Sequence, residues 1–388
     1  MPQHLHLDFE TFSKADLKKV GAYRYAFDPS TEILCAAMAI GDREPRVWDS
    51  SWHDPWYRVQ DELELLRNPS VLIYAHNAMF EMAICQALLQ KTWGIPCPDL
   101  SRFRCTMSFA RRAALPAKLE KLAEVLNLEA KKDNRGRALI KKFSMLPTRA
   151  TKANPTCKRI RPEDDPAAFA EFCEYCATDV RVEQQVAKKL AYFDEPINNA
   201  NYSLDAVINA RGVPVNLDAL RHAQKLIEEE TEIVSEKFRK LTGFEVTQNA
   251  RLLEWAEQCG YNFDNLQADT VDSFLEGQTE SQHPVVQALR LKQSIAYASI
   301  KKIPAMLACS GPHDNRLRGM MEWHVATTGR WGGKLVQLQN VRRSTMKESE
   351  AAYRMICEGC SREMLELCYG PVLETIANCL RHFVEDKQ

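Results

Sequence analysis

The spacing of apolar residues changes near residue 198 and divides the chain into two regions of different secondary structure. Before this point, alternating and short buried apolar runs predict strands at 4–10, 31–41 and 71–75. After it, almost every segment has helical spacing. The pattern therefore predicts an α/β region with a mixed sheet flanked by helices, followed by a mostly α-helical region.

Helices are predicted on both sides of this boundary. In the first region they lie at 78–90, at 117–145 in two pieces divided near Asn134-Arg-Gly136, and at about 164–190. In the second region the predicted helices are 201–210, 217–241, 248–258, 268–276, 283–308 and 348–382.

The composition is that of a folded globular chain, with 45% hydrophobic and 27% charged residues and a net charge of −1. It excludes a disordered or collagen-like chain. No apolar run of about 18 residues occurs, and no secretory signal pattern opens the chain. Thirteen cysteines, an odd number, lie in apolar segments and predict a reduced, cytoplasmic protein with buried thiols.

Two acids lie on one face of the first predicted strand. Asp8 and Glu10 are separated by one residue, so their side chains point to the same face, about 6.6 Å apart along the strand. Leu5, Leu7 and Phe9 then lie on the opposite, apolar face. Two neighbouring carboxylates repel each other unless a cation lies between them. Taken alone, the pair is more typical of an exposed strand than of a metal site.

Two more motifs carry acids. His76-Asn77-Ala78-Met79-Phe80-Glu81 lies at a predicted strand–helix junction, where Asn77 is interpreted as a helix N-cap. Its His76 is interpreted as a hydrogen-bonded structural histidine. Tyr175 and Asp179 are four residues apart on a predicted helix, so they share one face.

In this order, the three motifs resemble the exonuclease motifs of the DEDD superfamily, tyrosine branch. The resemblance implies a ribonuclease H-like 3′–5′ exonuclease domain at 1–198 that uses two divalent ions, Mg²⁺ or Mn²⁺, and releases nucleoside monophosphates from DNA. The implied catalytic residues, of which the four carboxylates are metal ligands, are Asp8, Glu10, Glu81, Tyr175 and Asp179. The residues implied at the DNA 3′ end are Thr11, Asn77 and Phe80. The family usually has Asp where this chain has Glu81.

The segment Thr327-Thr-Gly-Arg330, followed by Gln337-Leu-Gln-Asn340, resembles the T-x-T-G-R…L-Q-N segment of family A DNA polymerases. The resemblance covers the chain from end to end and is closest to the bacteriophage-type members, which places the protein in the cytoplasm of a bacterial host. It implies a palm entry and thumb at 199–310 and a partial palm at 311–388, truncated before the catalytic aspartates. The residues implied in binding primer–template duplex are Arg330, Lys334, Gln339 and Asn340.

Two basic stretches on this near-neutral chain favour local contacts with a polyanion, although solvated surface explains them equally well. Lys131–Arg161 contains eleven basic residues and one acid, and Arg316–Lys347 contains seven and one. The pairs Cys173–Cys176 and Cys357–Cys360 fall on helical periodicity without flanking turns, which favours buried thiols over a zinc site.

Two alternatives to the proofreading exonuclease stay open: a freestanding DEDD exoribonuclease, and a catalytically inactive DNA-binding or assembly subunit. No D-Y-S or H-D-E polymerase motif occurs, so we expect no polymerase active site in this chain. A separate chain carrying the remaining palm and fingers is an expected partner, docking on exposed apolar surface. The residues expected to form that surface are Ile356, Leu365, Leu373, Ile376 and Leu380.

Overall fold

The computed structural model of the chain divides into two compact units. It describes residues 4–51, 58–128, 136–151, 154–278, 281–311 and 313–385. The first unit contains Met1–Val213 and Cys309–Leu338, and the second contains Pro214–Ala308 and Gln339–Gln388. The predicted functional boundaries at 198 and 310 do not coincide with these limits, because Tyr202 and Ala206 belong to the core of the first unit. The functional division itself remains a prediction.

Five strands form a mixed sheet in the first unit. They are β1 (His4–Phe12), β2 (Glu32–Ile40), β3 (Arg46–Asp49), β4 (Leu72–Ala75) and β5 (Phe103–Cys105). The order across the sheet is β3-β2-β1-β4-β5. Strand β2 pairs antiparallel with both β1 and β3, whereas β4 pairs parallel with β1 and β5. The predicted mixed sheet and its three predicted strands are confirmed.

Strands β3 and β5 were not predicted from the sequence. They have four and three residues, and each carries charged side chains, so neither produces a clear alternation. Both lie at the edges of the sheet, where short and charged strands are common.

The described part of the first unit contains eight α-helices before residue 212. They are α1 (Leu17–Ala26), α2 (Gln60–Arg67), α3 (Met79–Trp93), α4 (Thr106–Arg112), α5 (Leu119–Val125), α6 (Gly136–Phe143), α7 (Pro166–Lys189) and α8 (Pro196–Arg211). Helix α7 begins after Asp165, whose side chain accepts the backbone N–H of Ala168. The expected break near residue 134 lies outside the described residues, but α5 and α6 are separate, as predicted.

The two faces of β1 meet different partners. Leu5, Leu7 and Phe9 belong to the main core, together with Met82 and Leu89 of α3. The other face of the sheet packs against α7, where small residues of β2 let the helix approach closely. This second cluster consists of Cys35, Ala37, Ala39, Cys176, Ala177 and Val180. The alternation along β1 therefore places its polar residues between the sheet and α7.

The segment Cys309–Leu338 completes the first unit. It contains β7 (Arg316–Leu317), β8 (Met321–Glu322) and β9 (Gly332–Gly333), of which β8 and β9 pair antiparallel. Asn209 of α8 holds this segment, because its amide donates to the carbonyl of Met321 and accepts the Met321 N–H. The preceding two-residue strand β6 is Val213–Pro214.

The second unit is helical, as predicted. Its helices are α9 (Leu217–Thr242), α10 (Asn249–Gln258), α11 (Ala268–Glu276), α12 (Pro284–Ser294), α13 (Lys302–Cys309, ending in the first unit), α14 (Ser349–Cys357), α15 (Arg362–Tyr369) and α16 (Val372–Cys379). The predicted single helices at 283–308 and 348–382 are wrong. The latter breaks where Gly359 and Gly370 adopt positive φ angles of 74° and 84°, and Pro371 then starts α16.

The expected exposed apolar surface of the second unit is also wrong. Helices α14, α15 and α16 pack on one another and on α9. The five residues expected on that surface, each at most 1% exposed, are Ile356, Leu365, Leu373, Ile376 and Leu380. These five residues therefore do not form the docking surface that we expected for a separate partner chain. Within the described ranges, no helix combines the length and apolar character that crossing a membrane requires.

Candidate active site

Two rows of polar residues face each other between the sheet and α7. His6, Asp8 and Glu10 share one face of β1, because alternate residues of a strand point the same way. Tyr175 and Asp179 of α7 share one helix face, and this face packs on β1. The predicted carboxylates of the first and third motifs are thus brought together.

A β-bulge lies beside Glu10. In the pairing of β1 with β2, Glu10 is opposite Cys35 but Thr11 is opposite Ile33, so Leu34 is the additional residue. Bulges re-aim the side chains next to them and are common near active sites. Here Thr11 is buried, and its Oγ1 shares a 2.9 Å hydrogen bond with the hydroxyl of Tyr25.

Glu81 is a buried carboxyl group in the first turn of α3. It is 2% exposed, and its Oε2 has no hydrogen-bond partner among the described residues. Burial, and then the charges of Asp8 and Glu10, hold the pKa of Glu81 well above its usual range. The charges of both acids of β1 therefore act on Glu81. Because the same two acids also raise the pKa of Tyr175, the three predicted motifs are close enough to interact electrostatically.

The predicted N-cap role of Asn77 is wrong. Helix α3 begins at Met79 and its N-cap is Ala78, without a side-chain capping bond. Asn77 instead has a φ of 66°, and its carbonyl accepts the N–H of Phe80 at 3.0 Å. Asn tolerates this left-handed conformation better than most residues, so Asn77 makes the turn that leads into the helix.

Tyr175 is 4% exposed, and its environment keeps the phenol protonated. Burial raises its pKa far above the ordinary value, and the charges of Asp179, Glu10 and Asp8 raise it further. The hydroxyl of Tyr175 can therefore donate a hydrogen bond, but almost no phenolate forms that could act as a base.

His76 has the structural role that its motif suggested. Its Nδ1 is 3.0 Å from Oγ1 of Thr106, and its Nε2 is 2.9 Å from the carbonyl of Ala117. Both ring nitrogens are thereby used within the first unit.

Sequence reasoning missed three neighbours of the site. Tyr25 holds Thr11, and its ring centroid is 6.0 Å from that of Phe80. His6 and Glu183, both buried, form a hydrogen-bonded pair beside the carboxylates. Periodicity could have found this pair, because His6 precedes Asp8 by two residues on β1 and Glu183 follows Asp179 by four on α7.

The carboxylates suit a divalent cation in their chemistry but are spread apart in this conformation. Among the described residues, no group of three or more His, Cys, Asp or Glu is close enough to hold a metal ion. Carboxylates repel each other when no cation compensates their charge. A bound cation would favour the ionised form of Glu81 and so lower its raised pKa. Oxygen donors of this kind are the ligands of Mg²⁺ and Mn²⁺.

The residues expected to bind duplex DNA are divided between the two units. Arg330 is exposed and Lys334 is half-buried in the first unit. The ammonium of Lys334 forms a 2.9 Å ion pair with Glu322, which also pairs with Arg111 at 2.9 Å. Gln339 and Asn340 are exposed in the second unit.

Trp331 has a packing role. Its ring centroid lies 4.2 Å from that of Trp323, and its Nε1 donates a 2.8 Å hydrogen bond to Asp205. Gly332 also has a packing reason, since a β-carbon there would lie 2.0 Å from Cγ1 of Val325.

Comparison with known proteins relates this chain to DNA polymerases. The DNA polymerase of Bacillus phage SP02 is 35% identical over 381 residues, which cover 97% of this chain and 57% of that polymerase. This confirms the predicted resemblance to a bacteriophage-type DNA polymerase. The chain spans little more than half the length of this curated relative.

Two further comparisons were made. No model of a known protein family matches the chain. The solved POL domain of Pol1 from M. smegmatis, in complex with DNA primer-template and dNTP, aligns with a TM-score of 0.49 and 15% identity. The alignment covers 89% of this chain and 53% of that one.

Proposed function

We propose that the chain is a metal-dependent 3′–5′ exodeoxyribonuclease, and that it is the proofreading and DNA-binding part of a family A DNA polymerase. One observation carries the proposal: the acids of β1 face Tyr175 and Asp179 of α7, and Glu81 is within their electrostatic reach. Its Oε2 is buried without a hydrogen-bond partner among the described residues, as expected of a group that awaits a cation.

Two divalent ions, Mg²⁺ or Mn²⁺, would stabilise charge on the attacking and leaving oxygens of the phosphodiester. Asp8, Glu10, Glu81 and Asp179 would hold them. Tyr175 would orient the attacking water by donating a hydrogen bond, because its raised pKa leaves almost no phenolate to act as a base.

A second set of residues would hold the terminal nucleotide. Thr11 is fixed by Tyr25, and Phe80 is a half-buried ring beside that tyrosine. Asn77 makes the turn before α3. Thr11 follows Glu10 on β1, and Asn77 and Phe80 lie at the start of α3 close to Glu81, which supports their proposed contact with a DNA 3′ end.

The sheet supports a ribonuclease H-like fold for this domain. Its order β3-β2-β1-β4-β5, with β2 alone antiparallel to β1, gives the mixed sheet that such a fold requires. For the rest of the chain we propose a palm entry and thumb at 199–310 and part of a palm at 311–388. Duplex DNA would contact Arg330, Lys334, Gln339 and Asn340. Lys334 shares Glu322 with Arg111, so the three charged groups together keep a net positive charge.

Digestion of 5′-labelled single strands by the 388-residue chain tests the proposal. With Mg²⁺, we expect DNA to shorten one nucleotide at a time from its 3′ end, with release of deoxynucleoside monophosphates, and matched RNA to be cut more slowly. Faster cleavage of RNA would instead favour the freestanding exoribonuclease. If the chain binds DNA but does not cleave it with either Mg²⁺ or Mn²⁺, the result would favour the catalytically inactive DNA-binding subunit.

A further inference from the structure

Three cysteine thiols lie between the sheet and α7, on the face of the sheet that carries Asp8 and Glu10. Cys35 is on β2, opposite Glu10 in the strand pairing. Cys173 and Cys176 are one turn apart on α7, and both belong to the same packed cluster as Cys35. Cys35 and Cys176 are fully buried, and Cys173 is half-buried.

One of these thiols contacts a proposed metal ligand. The Sγ of Cys176 donates a hydrogen bond to Oδ2 of Asp8 at 3.3 Å, and it also lies 3.6 Å from the backbone carbonyl of Asp8. Cys176 in turn follows Tyr175 and precedes Asp179 by three residues on α7. A single neutral side chain thus ties the central acid of β1 to the helix that carries the other two groups.

We propose that Cys176 is a positioning residue that fixes the orientation of the Asp8 carboxylate for metal binding. This inference rests on the proposed nuclease function. Carboxylates in a crowded acidic row tend to turn away from each other. A hydrogen bond from Cys176 on α7 to Oδ2 limits the rotation of the Asp8 carboxylate. Because the two oxygens belong to one planar group, it fixes the direction of Oδ1 as well. Groups that hydrogen-bond to metal ligands typically contribute 10–100-fold to metal affinity.

The small residues around Cys176 explain why a cysteine suits this position. Ala37 and Ala39 of β2 and Ala177 of α7 bring the helix close to the sheet. The space left there suits a compact donor. Serine keeps the donor in nearly the same volume, whereas alanine removes it, so the two substitutions separate the hydrogen bond from the packing.

Mn²⁺ binding to the complete chain, measured without DNA by electron paramagnetic resonance, tests the inference. Cys176→Ala should weaken Mn²⁺ binding by about 10-fold or more, and should lower kcat for digestion with little change in KM. Cys176→Ser should stay within about 3-fold of the wild-type chain in both measurements.

Cys379 provides a matched control. It is a buried thiol of the second unit that donates to the carbonyl of Ser349, also at 3.3 Å. Cys379→Ala should leave Mn²⁺ binding unchanged. Thermal unfolding of each variant shows whether it is folded, and the Cys176→Ser variant still decides if the alanine variant is not.

Two outcomes overturn the inference: wild-type Mn²⁺ affinity in Cys176→Ala, or equal losses in the serine and alanine variants. Asp8→Ala separates this from a failure of the proposed function. If Asp8→Ala abolishes digestion while Cys176→Ala has no effect, only the role of Cys176 is wrong. If the wild-type chain neither binds Mn²⁺ nor digests DNA, the nuclease function is wrong as well.

Discussion

The ring of Tyr175 lies against the α-carbon of Gly136, at the first residue of α6. A β-carbon on Gly136 would lie 2.1 Å from Cε2 of Tyr175, closer than any van der Waals contact permits. On its other side, Tyr175 stacks on Phe172, with ring planes 8° apart and centroids 6.3 Å apart. The tyrosine is therefore held between α6 and its own helix.

Gly136→Ala is expected to displace Tyr175 and to lower kcat between about 10-fold and 100-fold, because a shift of about 1 Å in a reacting geometry can cost that much. Tyr175→Phe keeps the ring and removes only the hydroxyl, so its loss should be smaller. The rate of deoxynucleotide release measures both. Gly277→Ala is the control, since a β-carbon there would approach, among the described residues, only the carbonyl oxygen of Phe274, at 3.7 Å.

Glu81 should be needed as a carboxylate, while its length should matter less. Glu81→Ala removes a carboxylate that responds to Asp8 and Glu10, so kcat should fall by about 10²–10³-fold. Glu81→Asp should remain within about 10-fold of the wild-type rate, in either direction. Titration of the rate with Mg²⁺ should show a higher requirement for the alanine variant. Wild-type kinetics in Glu81→Ala would mean that Glu81 is not a metal ligand.

Asp205 should make the first unit less stable as the pH rises. Its burial raises the pKa to about 6, and the hydrogen bond from Trp331 only partly opposes this. In the unfolded chain the pKa is about 3.9. The folded state therefore binds more protons between about pH 4 and pH 6, so this group's contribution is present at pH 4 and lost as the pH rises through 6.

Urea unfolding of the wild-type chain and of Asp205→Asn checks this effect. The free energy of unfolding of the wild type, relative to the variant, should fall by on the order of 3 kcal/mol from pH 4 to pH 7. Trp331 fluorescence should change with a midpoint near pH 6 in the wild type, because its Nε1 donates to Asp205. A pH-independent difference between the two proteins would contradict the raised pKa.

Arg102 should stabilise the first unit through its guanidinium group. It is 7% exposed and donates to the carbonyls of Val71, Leu66 and Leu65 at 2.8, 2.8 and 2.9 Å. Arg102→Met keeps much of the packing but leaves these carbonyls without their donor, so unfolding should require about 2–4 kcal/mol less. Arg67→Met, at an exposed position of α2, should change stability by less than about 0.5 kcal/mol. Equal stabilities of the two variants would refute this role.

The sequence predicted those parts of the site that depend on local periodicity. The alternation of β1 correctly placed Asp8 and Glu10 opposite Leu7 and Phe9. Helical spacing likewise placed Tyr175 and Asp179 on one face of α7. The positive φ of Asn77 was not predicted, because Asn is favoured both at N-caps and in left-handed turns.

Contacts between distant segments could not be predicted. Nothing in the local sequence shows that Gly136 would meet Tyr175, or that Cys176 would bond to Asp8. The breaks after α14 and α15 were different, because Gly359 and Gly370-Pro371 are visible signals that strong apolar periodicity outweighed. Similarly, the apolar residues of α16 were correctly seen as one face, but which helices cover it depends on the packing of the second unit.

The most direct test of the nuclease proposal is the rate at which the Asp8→Ala chain releases deoxynucleoside monophosphates from single-stranded DNA in Mg²⁺. Asp269→Ala, in the second unit, is the control for loss of an aspartate. Asp8→Ala should reduce the rate by at least about 10²-fold, with an unfolding midpoint close to that of the wild type. Retention of more than about one tenth of the wild-type rate would contradict the assignment of Asp8 as a metal ligand, and with it the catalytic site proposed between β1 and α7.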